Sequence, residues 1–260
     1  MTSAILECNG NIIENQQFTD PTTNIFVMRT RFETSQDAES VKSKLNAGLG
    51  KFQPKLSIRL TSQKKRVLVL VTKESHCLRD LLYLQELGEL PIEIPAVVSN
   101  HGDLKELVAT HGINYVDQSG KSKAEAESEI NDLVSKLDID LVVLARYMQI
   151  LTPEFCAGLS GKLINIHHSF LPGFKGAKPY HQAHDRGVKI IGATSHFVTQ
   201  DLDEGPIIDQ DVAHVTHNST PEDLIATGRD IERRVLSRSV KDFAEDRIFI
   251  VGNKTVVFHN

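Results

Sequence analysis

Hydrophobic residues follow two different rhythms along this chain, and the rhythm changes near residue 62. Before that point, residues 11–33 predict two strands with imperfect alternation, separated by a turn at Asp20-Pro21. A helix is predicted from about residue 38, where apolar side chains recur every four positions, and a third strand over residues 56–62. This part of the sequence therefore predicts a small α+β unit.

After residue 62, short continuous apolar runs alternate with segments of helical periodicity. Such runs are typical of strands that are buried on both faces, as in a parallel sheet. They occupy residues 67–72, 94–100, 140–148 and 162–167. The alternation predicts a doubly wound, mostly parallel α/β sheet of the Rossmann type. We accordingly divide the chain into residues 1–62 and 63–260, and predict a strand pair, a long helix and a hairpin at its end.

Composition excludes several classes of function. The chain has 260 residues and a net charge of -5, which gives no support to a nucleic-acid or membrane partner. It has three widely spaced cysteines without a CxxC pair, which is typical of a reducing compartment. No apolar run approaches the length of a membrane helix. We therefore expect a cytoplasmic protein that binds neither nucleic acid nor membrane.

Reactive side chains stand at the end of one predicted strand, in the stretch "LINIHHSFLPG". Asn165 and His167 are two positions apart, so both point to the same side of that strand. An amide and an imidazole suit the developing oxyanion of acyl transfer. On its own, however, the pair is better explained as a capping amide and a buried core histidine. His168 points the other way and is expected to line a different wall.

A second stretch, "SHFVTQDLDEGPII", places acidic residues before Gly205-Pro206. Taken alone, Asp201, Asp203 and Glu204 are best explained as turn residues. Together with the upstream Asn-x-His, the pattern His-x6-Asp-x-Gly-Pro is far more specific than its parts.

The combined stretch from residue 165 to residue 212 resembles the enzymes that transfer or hydrolyse the formyl group of 10-formyltetrahydrofolate. Within that group it most resembles the formyltetrahydrofolate deformylase family, because of the double His167-His168 and of "GAKPYHQA" at 176–183. The loop "TKESHCLRDLL" at 72–82 also resembles the deformylase version. Relatives that bind a ribonucleotide phosphate carry a glycine-rich loop there, and Lys73–His76 contains no glycine.

The resemblance implies a function and a site. The expected reaction is hydrolysis of 10-formyltetrahydrofolate to formate and tetrahydrofolate, which supplies one-carbon and purine metabolism, without a cofactor or metal. The implied catalytic residues are Asn165, His167 and Asp203. The implied substrate-binding residues, from "RYMQIL", the double histidine and the 200–205 loop, are Arg146, Tyr147, Met148, Ile150, Leu151, His168, Gln200, Asp201, Glu204 and Gly205.

The N-terminal unit resembles an ACT domain, a ferredoxin-like ligand-binding module, through "GNIIENQQFTD" and "FVMRTRF". Its first strand and much of its first helix are expected to be missing. That strand is central in a ferredoxin-like sheet, so its loss leaves neighbouring strands without a partner. The resemblance further implies a small amino-acid effector, glycine or methionine, and a homo-oligomer.

Three alternatives remain open at this stage. The first is a formyltransferase that uses an amine acceptor. The second is a metallohydrolase with ligands drawn from His167, His168, His181, His184 and Asp203, although the two histidines of 181–184 are better explained by helix packing. The third is a ligand sensor built on the ACT-like unit, which the intact Asn, His and Asp residues disfavour.

Overall fold

The computed structural model of this chain describes residues 1–173 and 179–259. Contacts divide these residues into two units, one of Met1–Lys64 together with the residues from Phe258 onward, and one of Lys65–Val257. The motif "GAKPYHQA" begins outside the described residues, since 174–178 precede the helix that contains its second half.

The N-terminal unit contains two helices and a two-stranded antiparallel sheet. Its elements are α1 (Thr2–Glu7), β1 (Asn11–Thr19), β2 (Phe26–Glu33) and α2 (Ala38–Leu49), followed by a short 3-10 turn at Gly50–Phe52. The apolar stripe predicted from residue 38 is buried, with Val41, Leu45 and Leu49 packed against α1 side chains Ala4 and Ile5.

The prediction of a third strand over residues 56–62 is wrong, because the described residues there belong to no sheet. Leu56 and Ile58 still pack, partly buried, against the core of the unit, whereas Leu60 is exposed. A strand also requires a neighbour for its backbone groups. The likeness of this unit to an ACT domain stays a prediction.

The larger unit alternates strands and helices as predicted. Its elements are β3 (Lys65–Val71), α3 (His76–Glu86), β4 (Ile92–Ser99), α4 (Lys105–Thr110), β5 (Asn114–Asp117), α5 (Lys123–Lys136), β6 (Leu141–Leu144), α6 (Pro153–Gly158), β7 (Leu163–His167), α7 (Pro179–Asp185), β8 (Ile190–Phe197), β9 (Ile207–His214), α8 (Pro221–Ala244), β10 (Ile248–Val251) and β11 (Lys254–Val257).

Seven of these strands form one sheet in the order β5-β4-β3-β6-β7-β8-β9. The first five are parallel, and β8 and β9 add two antiparallel strands at one edge. The predicted doubly wound, mostly parallel α/β fold is therefore confirmed. The predicted terminal hairpin also forms, as β10 and β11, and Gly252 supplies the positive φ of 61° that its turn requires.

The sheet is held between two apolar layers, which explains why the central strands are continuously hydrophobic. Val67, Val69 and Val71 of β3 face one layer, while Leu68 and Leu70 face the other. The long helix α8 packs against β8 and β9, and a capping box formed by Thr220 and Asp223 begins it. None of the described helices combines the length and apolar character needed to cross a membrane.

Candidate active site

A cavity of about 730 Å³ opens at the carboxyl ends of β6 and β7, where a sheet of this kind is expected to bind its ligand. Residues of the loop after β6 and residues at the end of β7 line the cavity. Its walls combine apolar, ionic and imidazole side chains. Asn165, His167 and Asp203 all line it.

The three implied catalytic residues meet at one end of this cavity. Nδ1 of His167 lies 3.3 Å from Oδ2 of Asp203. His167 is 6% exposed, and its Nε2 is buried without a hydrogen-bond partner among the described residues. A buried and unsatisfied ring nitrogen beside a cavity is well placed to contact a bound polar group. Nε2 of His167 can therefore bind a carbonyl oxygen, while the carboxylate of Asp203 can accept or donate a proton.

Asp203 is held in an unusual backbone conformation, with a φ of 58°. Aspartate and asparagine tolerate this left-handed region better than most residues. Burial would raise the pKa of Asp203, but hydrogen bonds from His167 and His196, together with their charges, outweigh burial and hold the pKa well below its usual range. Asp203 is therefore a carboxylate at neutral pH.

His196 belongs to the same group, although sequence reasoning did not assign it a role. Its Nε2 lies 3.6 Å from Oδ1 of Asp203 and 3.3 Å from Nδ2 of Asn165, which is its direct cross-strand neighbour. Its Nδ1 donates to the carbonyl of Phe197 at 3.0 Å, and its Nε2 is left facing both Asn165 and Asp203. One N–H of the Asn165 amide remains for the cavity. In the sequence, His196 is the histidine of "SHFV", the first residue of the pattern His-x6-Asp-x-Gly-Pro.

Apolar side chains form the other end of the cavity. The loop after β6 contributes Met148 and Ile150, which are 56% and 65% exposed. The backbone of this loop is held by a hydrogen bond from the N–H of Met148 to the hydroxyl of Thr72, at 2.9 Å. Leu144, Leu151, Val198 and Leu202 complete this apolar side. Such a slot suits a flat heteroaromatic ring.

The remaining implied substrate-binding residues are not all at this cavity. Tyr147 and Gln200 line it, and Tyr147 also packs into the apolar core of the unit. Glu204 and Gly205 instead line a second, smaller cavity of about 430 Å³. Asp201 lines neither, and its carbonyl accepts a hydrogen bond from the hydroxyl of Thr199 within the loop. These three residues shape the loop that presents Asp203.

An ionic cluster that the sequence did not reveal forms a third wall around Glu232 of α8, which is 1% exposed. Tyr180 donates its hydroxyl to Glu232 at 2.7 Å, and Nε2 of His76 lies 2.8 Å from it. Nε of Arg146 lies 3.4 Å from Glu232, and the same guanidinium donates to Nδ1 of His168. Burial would raise the pKa of Glu232, but these partners hold it below its usual value.

The histidines suggested as metal ligands do not converge. His184 is half-exposed with its ring next to Asp185, while His181 lines the cavity. Among the described residues, one group of three metal-type side chains has all its ligand atoms within 4.8 Å of one another, and it consists of His76, Cys77 and Glu232. Glu232 is already paired with a guanidinium there. The independence from metal stays a prediction.

Comparison with known proteins agrees with this geometry. Residues 65–240 match the formyl transferase family model. The formyltetrahydrofolate deformylase of Escherichia coli O6:H1 is 46% identical over 251 residues, covering 95% of this chain and 88% of that protein. The namesake from Bacillus subtilis is 46% identical over 100% of this chain and 88% of its own length.

A solved structure gives the same result. The crystal structure of formyltetrahydrofolate deformylase from Burkholderia mallei has a TM-score of 0.95 and 44% identity, covering 99% of this chain and 93% of that one. The identities are high, and the coverage includes both units of the chain. This protein belongs to the formyltetrahydrofolate deformylase family.

Proposed function

We propose that this chain hydrolyses 10-formyltetrahydrofolate to formate and tetrahydrofolate. The observation that carries the proposal is the convergence of Asn165, His167 and Asp203 at one end of a cavity whose other end is apolar. In this arrangement the pteridine ring occupies the slot beside Met148 and Ile150, and the formyl group reaches the three polar side chains. The curated relatives with 46% identity carry the name of this activity.

The catalytic roles follow from which atoms can donate and which can accept. Nε2 of His167 faces the formyl oxygen and, in the protonated ring, donates to it. The free N–H of Asn165 donates to the same oxygen as it gains charge in the tetrahedral intermediate. One preorganised donor of this type is worth roughly 2.7–4 kcal/mol of transition-state stabilisation.

The reaction balances with water as the only co-substrate. The water oxygen bonds to the formyl carbon while one water proton passes to Asp203. That proton moves on to N10 as the carbon–nitrogen bond breaks, and the second water proton leaves when formic acid ionises. Because its pKa is lowered, Asp203 keeps a proton only briefly. The lowered pKa makes Asp203 a weak base, so the proton that it receives passes on readily to N10.

Water is a better nucleophile for this site than a phosphorylated amine. The residues Lys73–His76 offer no glycine backbone for a phosphate. Glu74 also places a carboxylate at this end of the cavity, 3.2 Å from Arg229, which is then less available to an anion. The formyltransferase alternative is therefore disfavoured by both backbone and charge.

Formate release tests the proposal. Purified protein incubated with 10-formyltetrahydrofolate, without any amine acceptor, should produce formate and tetrahydrofolate in equal amounts. Adding glycinamide ribonucleotide should neither speed folate turnover nor yield the formylated nucleotide. Formylation of that nucleotide at a rate comparable with formate release would instead support the formyltransferase alternative.

Three finer statements belong to the same proposal. The N-terminal unit binds a small amino acid, glycine or methionine, as effector, and the protein assembles as a homo-oligomer. It acts in the cytoplasm, in keeping with its free cysteines Cys8, Cys77 and Cys156. Isothermal titration with each amino acid and sedimentation analysis check the first two statements.

A further inference from the structure

His168 is the neighbour of His167 in the chain, and both residues line the cavity. The two rings stack, with centroids 5.2 Å apart and planes inclined by 17°. Both line the same cavity, and each Nε2 is buried without a hydrogen-bond partner among the described residues. Two unsatisfied ring nitrogens side by side suggest that the cavity holds two polar atoms, one for each ring.

The contacts of His168 fix where its proton resides. Arg146 donates from Nη1 to Nδ1 of His168. A guanidinium has no acceptor, so Nδ1 must accept, and the proton of the neutral ring is on Nε2. Since Nδ1 is occupied by the Arg146 N–H, the ring cannot take up a second proton without losing this contact. His168 therefore carries an N–H on Nε2 that has no hydrogen-bond partner among the described residues, at the wall of the cavity.

The guanidinium is itself held in place from behind. Oε2 of Glu232 lies 3.4 Å from Nε of Arg146. Glu232 is buried and fixed by the hydroxyl of Tyr180 and by Nε2 of His76, at 2.7 and 2.8 Å. Arg146 also has a backbone φ of 64°, in the left-handed region that non-glycine residues seldom adopt. The guanidinium thus lies between buried Glu232 and His168, and contacts both.

Hydrolysis requires two oxygen atoms to be held, the formyl oxygen and the oxygen of the attacking water. In the proposed function His167 and Asn165 take the formyl oxygen. The folate fills the apolar end of the cavity, so the nucleophile approaches from the remaining side, which the cluster around Glu232 forms. His168 lies between that cluster and His167.

We propose that His168 is a catalytic residue whose Nε2–H holds the attacking water, and that Arg146 and Glu232 are positioning residues that fix this tautomer. The inference rests on the proposed hydrolysis. The water oxygen accepts from His168 through one lone pair and attacks the formyl carbon through the other, while Asp203 receives a water proton. No other reactant is needed.

The charge state of His168 is open to direct measurement. The titratable or charged groups that surround it, directly or through Arg146, are His167 of β7, Arg146 after β6, Tyr180 of α7, Glu232 of α8 and His76 of α3.

Nitrogen-resolved NMR of histidine-labelled protein should show His168 as the Nε2–H tautomer, unchanged from about pH 5.5 to 8. In Arg146→Met it should gain a proton on acidification, with a midpoint near the ordinary histidine value of about 6.5. A wild-type His168 that titrates like a free imidazole, or resides in the Nδ1–H tautomer, would overturn the inference.

Kinetics supply the second arm. His168→Leu should lower kcat by roughly 10²-fold, the loss typical of one preorganised donor, with KM changed much less. His168→Gln should recover part of the rate, because its amide can accept from Arg146 and still donate. In Arg146→Met, the rate should fall at acidic pH, because His168 can then take up a second proton. This fall should be absent from the double variant Arg146→Met/His168→Gln, which has no imidazole at position 168.

Matched controls separate this role from a structural one. His217→Leu and Arg233→Met make the same chemical changes at residues outside the cavity, and both should behave as wild type. Equal losses in His168→Leu and His168→Gln, or an Arg146→Met profile parallel to wild type, would contradict the inference. These outcomes differ from failure of the proposed function itself. In that case wild-type protein would release no formate, while NMR would still show His168 as the Nε2–H tautomer.

Discussion

Nδ1 of His167 and Oδ2 of Asp203 are 3.3 Å apart, although they come from a buried strand and from a loop thirty-six positions later in the chain. The contact joins a proton donor to a carboxylate whose pKa is held low by that donor and by His196. It defines the reactive end of the cavity, and the predictions below test it from several directions.

Asp203→Asn should abolish proton acceptance while leaving the loop in place. Asparagine is nearly isosteric and also tolerates the φ of 58° found here. We expect turnover to fall by roughly 10²–10⁴-fold, with the affinity for tetrahydrofolate changed much less. Steady-state kinetics and isothermal titration measure the two quantities. Retained turnover combined with lost folate binding would show that Asp203 only shapes the loop.

Combined substitutions should reveal that the three residues act on one intermediate. Asn165→Ala and His167→Ala should each lower turnover, and pairing either with Asp203→Asn should cost far less than the sum of the separate losses in activation free energy. Asn218→Ala, at an exposed loop residue, serves as the control. Strictly additive losses in single-turnover rates would mean that the residues act in separate steps.

Acidification should weaken the stabilisation that Asp203 contributes to the fold. Its pKa is lowered in the folded state, so the unfolded chain binds the proton more tightly. The contribution is fully present above the ordinary aspartate pKa of about 3.9 and is lost as the pH falls through the lower folded value. Urea unfolding of wild type and Asp203→Asn should therefore give free energies that differ constantly above about pH 5 and converge below about pH 4. A difference that grows on acidification would refute this.

Metal removal should leave activity intact. Glu232, the most buried carboxylate of the cavity wall, is already paired with Arg146 and Tyr180. After thorough treatment with a chelator, the protein should release formate at the same rate as the untreated protein. Loss of activity that zinc or iron restores would support the metallohydrolase alternative.

Gly228→Ala should damage the wall that holds Glu232. A Cβ at Gly228 would overlap the ring of Tyr180, whose hydroxyl donates to Glu232. We expect a loss of roughly 1–3 kcal/mol in unfolding free energy, as for other overpacked sites. Gly158→Ala is the matched control, because no atom lies within 4 Å of its added Cβ. Equal stability of the two variants would show that Tyr180 can move aside freely.

Several features of this protein follow from local sequence alone. The short run of β-branched and other apolar residues in β3 is typical of a strand buried on both faces, and its side chains do face two apolar layers. The spacing of Asn165 and His167 likewise places both on one face, since successive residues in a strand alternate. The family resemblance then connected them with Asp203.

Only the tertiary structure determined the rest. The strand expected at residues 56–62 has the right apolar pattern but no neighbouring strand, and a ladder needs two chains of backbone groups. His196 entered the site as the cross-strand neighbour of Asn165, a pairing set by register rather than by spacing. Glu232 reaches Arg146 from a helix eighty-six positions away, because α8 packs back onto the sheet. A burial pattern can predict which side chains turn inward, but contacts between distant segments depend on how the elements pack.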